Sequence, residues 1–374
     1  MMSPNVNAGL SLAVIRGMLT AAFVAEAVIT TSVASAQATS DRPDVVIDSG
    51  AVREAVNNLA KETEANYPIA ALATRTANEL RARLRSGRYR LTSARALAAS
   101  LTADLRALTG DQHFMVDYFV VPRVFPPATA TPDPVSEADR HLTLKLQNFG
   151  FARVERLSGN VGYLKLDKFE MPLLAGETAA AAMRFISGTD ALIIDLRDNG
   201  GGYSSMATLF SSYFFAEPVH LSDRTGRNPE DLKQNWTYAF VSGHRYLDKP
   251  VYILSGPRTF SAAEAFAYDL QSRKVAKVVG ETTRGGANVA ARLLLSSRFG
   301  VVMPTGVVKN TVTGGNWKAG LQPDVVTTAA DALRTAHLAA LEATAPKHRD
   351  DPLTAEIAKS LTSLRSEAAV TPPK

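Results

Sequence analysis

Ser261 stands in "VYILSGPRTFSAAEAFAYDL", residues Val251 to Leu270, where a buried-strand composition gives way to a helical one. A serine on a tight turn between strand and helix is held rigidly at the carboxyl edge of a sheet. The first free N–H groups of the helix, that of Ala262 among them, point to where a developing oxyanion needs donors. The plainer role is structural: Ser261-Ala262-Ala263-Glu264 is an S-x-x-E capping box ahead of an apolar run. It is not the G-x-S-x-G elbow, because Phe260 and Ala262 flank the serine. A second piece is "DLRDNGGGYSS", in which Asn199-Gly200-Gly201-Gly202 follows an apolar strand and falls at the same edge of a parallel sheet. Consecutive glycines let backbone approach a ligand and present N–H groups in unusual conformations; a plain turn and a phosphate cradle are the rival readings. Neither G-x-x-x-x-G-K-[ST] nor G-x-G-x-x-G is present, so nucleotide binding has little support. A nucleophilic serine needs a base. His113 in "LTGDQHFMVDY", between a helix and a strand, is the candidate, while the other five histidines lie in a linker, loops and the C-terminal region.

The chain that must position these groups has 374 residues, 46% of them apolar and 21% charged, enough for a large core and two domains. The net charge of +5 is spread thinly, with no dense Lys/Arg run interleaved with aromatics, which argues against nucleic acid as a partner. There is no cysteine, so disulfides, thiolate catalysis and Cys-type zinc sites are excluded. The six histidines show no H-x-x-x-H spacing, and neither a metal nor another cofactor is expected. After Arg16 the segment "GMLTAAFVAEAVITTSVASAQA" ends near Ala34-Ser35-Ala36, the pattern of a secretory signal occupying residues 1–36. Export to a bacterial periplasm or the cell exterior is the expectation. No integral membrane span should remain after removal, since the uncharged stretch following Glu26 is short of the roughly 20 residues a span requires.

Residues 44–112 carry helical periodicity in three segments, closed by Gly87 and Gly110, and predict a small helical bundle. Residues 113–148 read as a strand, "FMVDYFVVPRVF", followed by a Pro-rich linker, "PPATATPDPVSEADRH". From residue 149 to 345 strands alternate with helices: "NVGYLKLDKF", "AGETAAAAMRFIS", "DALIIDLRDNGGG", "SMATLFSSYFF", "PVYILSG", "SAAEAFAYDLQSR", "AKVVGE". That alternation predicts an α/β domain around a mostly parallel sheet. Residues 346–374 make a last helix and a Pro-ended tail.

Five motifs in order, "NVGYLKLDKF", "ALIIDLRDNGGG", "RTFSAAEAFAYDL", "VVGETTRGGAN" and "VVMPTGVVKNTVTGGNW", resemble the C-terminal processing (tail-specific) serine peptidases. The resemblance is strongest to the branch of interphotoreceptor retinoid-binding protein and the tricorn core protease, and "LTADLRALTGDQH" is similar to the helical N-terminal domain of that branch. It implies a ClpP/crotonase-like catalytic core and a polypeptide substrate. It assigns Ser261 as nucleophile, His113 as base, and the N–H groups of Ala262 and of Gly201 or Gly202 as the oxyanion hole. A lysine is the base in the other branch, and Gly286 stands at its position here. Relatives often carry an acid directly after the tryptophan of "NW"; this chain has Lys318 after Trp317, which leaves Glu264 or Asp111 as possible supporting groups. Residues 119–150 are too few for an inserted PDZ domain. The alternative function on the same fold is non-catalytic binding of a hydrophobic ligand such as a retinoid or fatty acid.

Overall fold

The computed structural model describes residues 42–123 and 134–370. The signal segment expected over residues 1–36 lies outside them. Two sheets organise the chain. The first has six strands in the order β11-β8-β7-β4-β3-β2: Phe151–Leu157 (β2), Val161–Leu166 (β3), Ala191–Asp195 (β4), Val251–Ser255 (β7), Lys277–Gly280 (β8) and Val325–Val326 (β11). Every pairing is parallel except β2 with β3, as the helix–strand alternation requires. Strands β4 and β7 are buried along their whole length, the environment that their uninterrupted apolar sequences demand.

Helices cover both faces. Pro172–Ile186 (α5), Ser204–Ser211 (α6) and Ala262–Ser272 (α7) pack on one side around Phe169, Phe210, Met206 and Phe266. Ala332–Thr344 (α8) and Leu353–Val370 (α9) close the other, where Ala336, Ala340 and Leu341 meet Ile193 and Leu254. Among the described residues no helix is long and apolar enough to cross a membrane.

The second sheet is antiparallel and was not anticipated from composition. Its order is β1-β10-β5-β6, with β9 also on β10: Met115–Tyr118 (β1), His220–Thr225 (β5), Lys233–Trp236 (β6), Val289–Leu294 (β9) and Phe299–Asn310 (β10). Its strands are half-exposed and polar in places, so they lack the continuous apolar signature of the parallel sheet. Helices Ser49–Asn66 (α1), Ala70–Arg85 (α2) and Ala94–Thr109 (α3) form the expected bundle and share a core with this sheet through Phe114, Phe299, Val301 and Met303. One expectation is corrected: the Pro-rich linker turns helical at Pro134, giving Pro134–Leu146 (α4). Proline is well suited to a first helical turn, and the residues of α4 from Glu137 onward are exposed apart from Leu144.

Candidate active site

Ser261 occupies the junction between β7 and α7, and its backbone is unusual. At φ 56°, ψ −117° it lies in a region that costs a non-glycine residue about 1–3 kcal/mol, so its surroundings must impose it. They do so from two sides. Ser261 and Glu264 make the capping box, whose strong half is the Ser261 N–H donating to Glu264 Oε2 at 2.7 Å. That carboxylate is fully buried and also accepts from Gly285 N (2.7 Å), Gly286 N (2.8 Å) and the Thr283 hydroxyl. Burial pushes the Glu264 carboxyl above its ordinary value, against the pull of these four donors. On the other side, Phe260 N–H donates to the Asn199 carbonyl at 3.0 Å, tying the serine turn to the glycine loop.

That loop leaves β4 beside β7, so Gly201 and Gly202 reach the serine from a neighbouring parallel strand. Gly201 sits at φ +98°, and a Cβ on it would lie 2.7 Å from the Phe260 carbonyl oxygen and 2.9 Å from Ser261 Cβ. Its N–H, however, donates to Asn199 Oδ1 at 2.8 Å. The expectation for Gly201 as an oxyanion donor is therefore corrected: its N–H is already used, and the residue serves close approach instead. Gly202 N–H and Ala262 N–H donate to no group among the described residues and remain open toward the cleft that both residues line.

His113 arrives from the other sheet, on the turn between α3 and β1. Gly110 ends α3 in the left-handed conformation, φ 67°, and redirects the chain so that Asp111 and His113 turn inward. His113 Nε2 lies 3.3 Å from Ser261 Oγ, and its Nδ1 lies 3.2 Å from Asp111 Oδ1. The Asp111 carboxylate also accepts from His113 N at 3.0 Å and, on Oδ2, from the Asn288 amide at 2.5 Å. Burial acts to raise the Asp111 carboxyl, but His113 and Asn288 outweigh it and hold the group below its ordinary value. An ionised carboxylate only accepts, so the Nδ1 facing it carries the imidazole proton, and Nε2 is left as an acceptor facing the serine hydroxyl.

The two supporting candidates thus part company: Asp111 is at the histidine, and Glu264 is at the backbone of Ser261. The acid absent at position 318 has its counterpart in Asp111. Lys318 itself turns away, with Nζ 3.5 Å from the Thr109 carbonyl at the C-terminal end of α3, a favourable place for a cation. Asn288 escaped sequence reasoning. Its only signal was its place at the end of the "RGGAN" loop, ahead of β9.

Phe260 explains why a lysine has no room at position 286. Its ring packs 4.8 Å from the His113 ring and 4.8 Å from the Arg284 guanidinium, and a Cβ on Gly286 would overlap it. Gly286 O accepts from Trp317 Nε1 at 2.8 Å, so the loop cannot swing aside. Gly286→Ala is expected to cost about 1–3 kcal/mol by overpacking and to displace the ring that backs His113. Thermal unfolding and hydrolysis rates measured together would check this; an unchanged Tm would show that Phe260 rotates freely. No cluster of potential metal ligands occurs among the described residues.

Residues 160–327 match peptidase family S41, and residues 37–148 match the N-terminal domain of that peptidase in eukaryotic IRBP. The chain carries a peptidase family S41 domain over residues 160–327. It is 27% identical over 169 residues to a carboxyl-terminal-processing protease of Synechocystis, covering 45% of this chain and 38% of that protein. It is 29% identical over 184 residues to the chloroplastic carboxyl-terminal-processing peptidase 1 of Arabidopsis thaliana, 47% of this chain and 35% of the relative. The chain thus spans well under half the length of these relatives in the matched region. Among solved structures, one titled as a peptidase, from Parabacteroides merdae, shares the fold with TM-score 0.51 at 17% identity, covering 74% of this chain and 90% of that one.

Proposed function

We propose that this chain, with its family S41 domain, is an exported serine endopeptidase of the carboxyl-terminal processing type. Ser261 is the nucleophile, His113 the base and Asp111 the group that orients it. The observation that carries this reading is the continuous relay Asp111–His113–Ser261, assembled from two different sheets at 3.2 Å and 3.3 Å. Relays of this kind tighten when substrate binds, so 3.3 Å is within working range. Ser261 Oγ attacks the peptide carbonyl while His113 Nε2 takes its proton. The oxyanion gains the N–H groups of Ala262 and Gly202, and His113 then returns the proton to the leaving amine. Water, activated by the same imidazole, hydrolyses the acyl-enzyme. Apart from the substrate and that water, these steps use only side chains and backbone of this chain.

The division into a helical unit over residues 44–112 and a catalytic domain over 149–345 belongs to the same reading, as does export, which rests on the signal-like residues 1–36. Binding of a retinoid or fatty acid has less support. The cleft at Ser261 measures about 100 Å³, the scale of one side chain rather than of a long apolar ligand.

Intact mass after treatment with a fluorophosphonate tests the proposal. A single adduct is expected in the wild type, absent in Ser261→Ala and slowed at least about 100-fold in His113→Ala and Asp111→Asn. A wild-type protein that takes no adduct, or one that labels equally fast without His113, would overturn it.

A further inference from the structure

The cleft does not stop at the serine. Ser261, Ala265 and Asp269 are four residues apart on α7, so they line one face of the helix, and all three border the same cavity. Eight residues of helix separate Ser261 from Asp269 by about 12 Å. The small residues Ala207, Ala265 and Val308 and the polar ones Thr208, Ser222 and Asn235 share the lining. Asp269 is the lining residue of α7 farthest along the helix from Ser261 and is only 4% exposed. Helix side chains in general lean toward the N-terminus, the Ser261 end of α7.

The contacts of this carboxylate are one-sided. Asn310 Nδ2 donates to Oδ1 at 2.8 Å, and Arg273 Nη1 approaches the same oxygen at 3.6 Å. Arg273 commits Nη2 to the carbonyls of His220 and Leu221 and the hydroxyl of Thr311, and Nη1 also donates to the Asp269 carbonyl at 3.2 Å. Oδ2 accepts no hydrogen bond from any described residue. Tying α7 to β10 explains Oδ1 alone; a half-partnered carboxylate at the end of a narrow cleft is an expensive arrangement unless a ligand completes it. Burial pushes the Asp269 carboxyl up to about 7 against the pull of Arg273 and Asn310.

We propose that this cleft is the specificity pocket for the residue preceding the scissile bond, and that Asp269 selects a lysine or arginine side chain there. A four-carbon stem passes the alanine walls and delivers an ammonium to Oδ2, a depth that alanine or valine does not reach. Because Arg273 shares the same carboxylate, the selectivity is moderate rather than absolute. The inference rests on the peptidase reading above.

Two measurements separate their failures. The first is kcat/KM on paired fluorogenic peptides carrying lysine or its uncharged isostere norleucine before the scissile bond. The wild type is expected to favour lysine at least about tenfold, and in Asp269→Asn the lysine-to-norleucine ratio of kcat/KM is expected to fall toward one. The second is calorimetric binding of the same peptides, uncleaved, to Ser261→Ala, which needs no turnover. Hydrolysis by the wild type with no lysine preference would overturn the pocket and keep the peptidase. Lysine-selective binding without hydrolysis would overturn the peptidase and keep the pocket. Should Asp269→Asn fail to fold, the wild-type ratio alone decides, and norleucine cleaved as well as lysine refutes the role given to Asp269.

Discussion

Ser261→Ala is expected to abolish peptide hydrolysis, lowering kcat by about 10⁴-fold or more, while the protein unfolds cooperatively near its wild-type temperature. The two halves of this result come from different parts of the residue. In the proposed mechanism the hydroxyl is the attacking group, whereas the strained turn is held by backbone contacts that alanine retains: Ser261 N–H to Glu264, Phe260 N–H to Asn199, and Ala265 N–H to Ser261 O at 2.9 Å. Loss of the hydroxyl's share of the capping box costs about 1 kcal/mol, small against the stability of a chain this size. Steady-state hydrolysis of a peptide substrate, with a thermal melt beside it, checks both. Undiminished hydrolysis would locate the nucleophile elsewhere; loss of the cooperative melt would mean that the serine is there for structure.

Glu264→Ala should do the reverse and damage the fold together with the activity. Its carboxylate gathers donors from Ser261, Thr283, Gly285 and Gly286, all at a residue with no exposed surface. Removing it strands these groups away from water, at about 1–3 kcal/mol each before relaxation, so a net loss of about 3–5 kcal/mol is expected. The activity should fall about 100-fold in whatever protein remains folded, because one carboxylate positions both the nucleophile's backbone and the loop beneath Phe260. Glu264→Gln keeps the shape but turns an NH₂ toward N–H donors, and should fall between the two. Denaturant unfolding and active-site titration, performed on the same samples, would resolve stability from turnover. A stable, fully active Glu264→Ala protein would contradict the positioning role.

Much of this site was written into local sequence. The strands before Asn199 and Ser261 are short apolar runs, each followed by glycine or by a helix-initiating S-x-x-E, and such runs have few stable environments other than the interior of a parallel sheet. Adjacent parallel strands end at one edge, so the glycine loop and the serine were bound to meet. The helical bundle followed from periodicity, and the D-x-H at the end of its third helix was visible as a pair. What lay beyond sequence reasoning was long-range. His113 and Ser261 are 148 residues apart, and Asp111 and Asn288 are 177 apart. Their contacts depend on an antiparallel sheet whose strands, such as "HLSDRT", carry no clean alternation, because each is partly exposed and buries a different part against a different neighbour. The departure at Lys318 suggested a missing acid; only the packing of α3 against β1 and the contact of Asn288 with Asp111 brought Asp111 beside His113. Likewise no pattern could reveal that Gly201 N–H is taken by Asn199, or that among the described residues one Asp269 oxygen has no hydrogen-bond donor. Local sequence was enough to mark which residues can do chemistry and which sheet edge displays them, since burial and backbone freedom are local properties. The tertiary structure decided which of them work together, because that depends on distances between segments that only the complete fold sets.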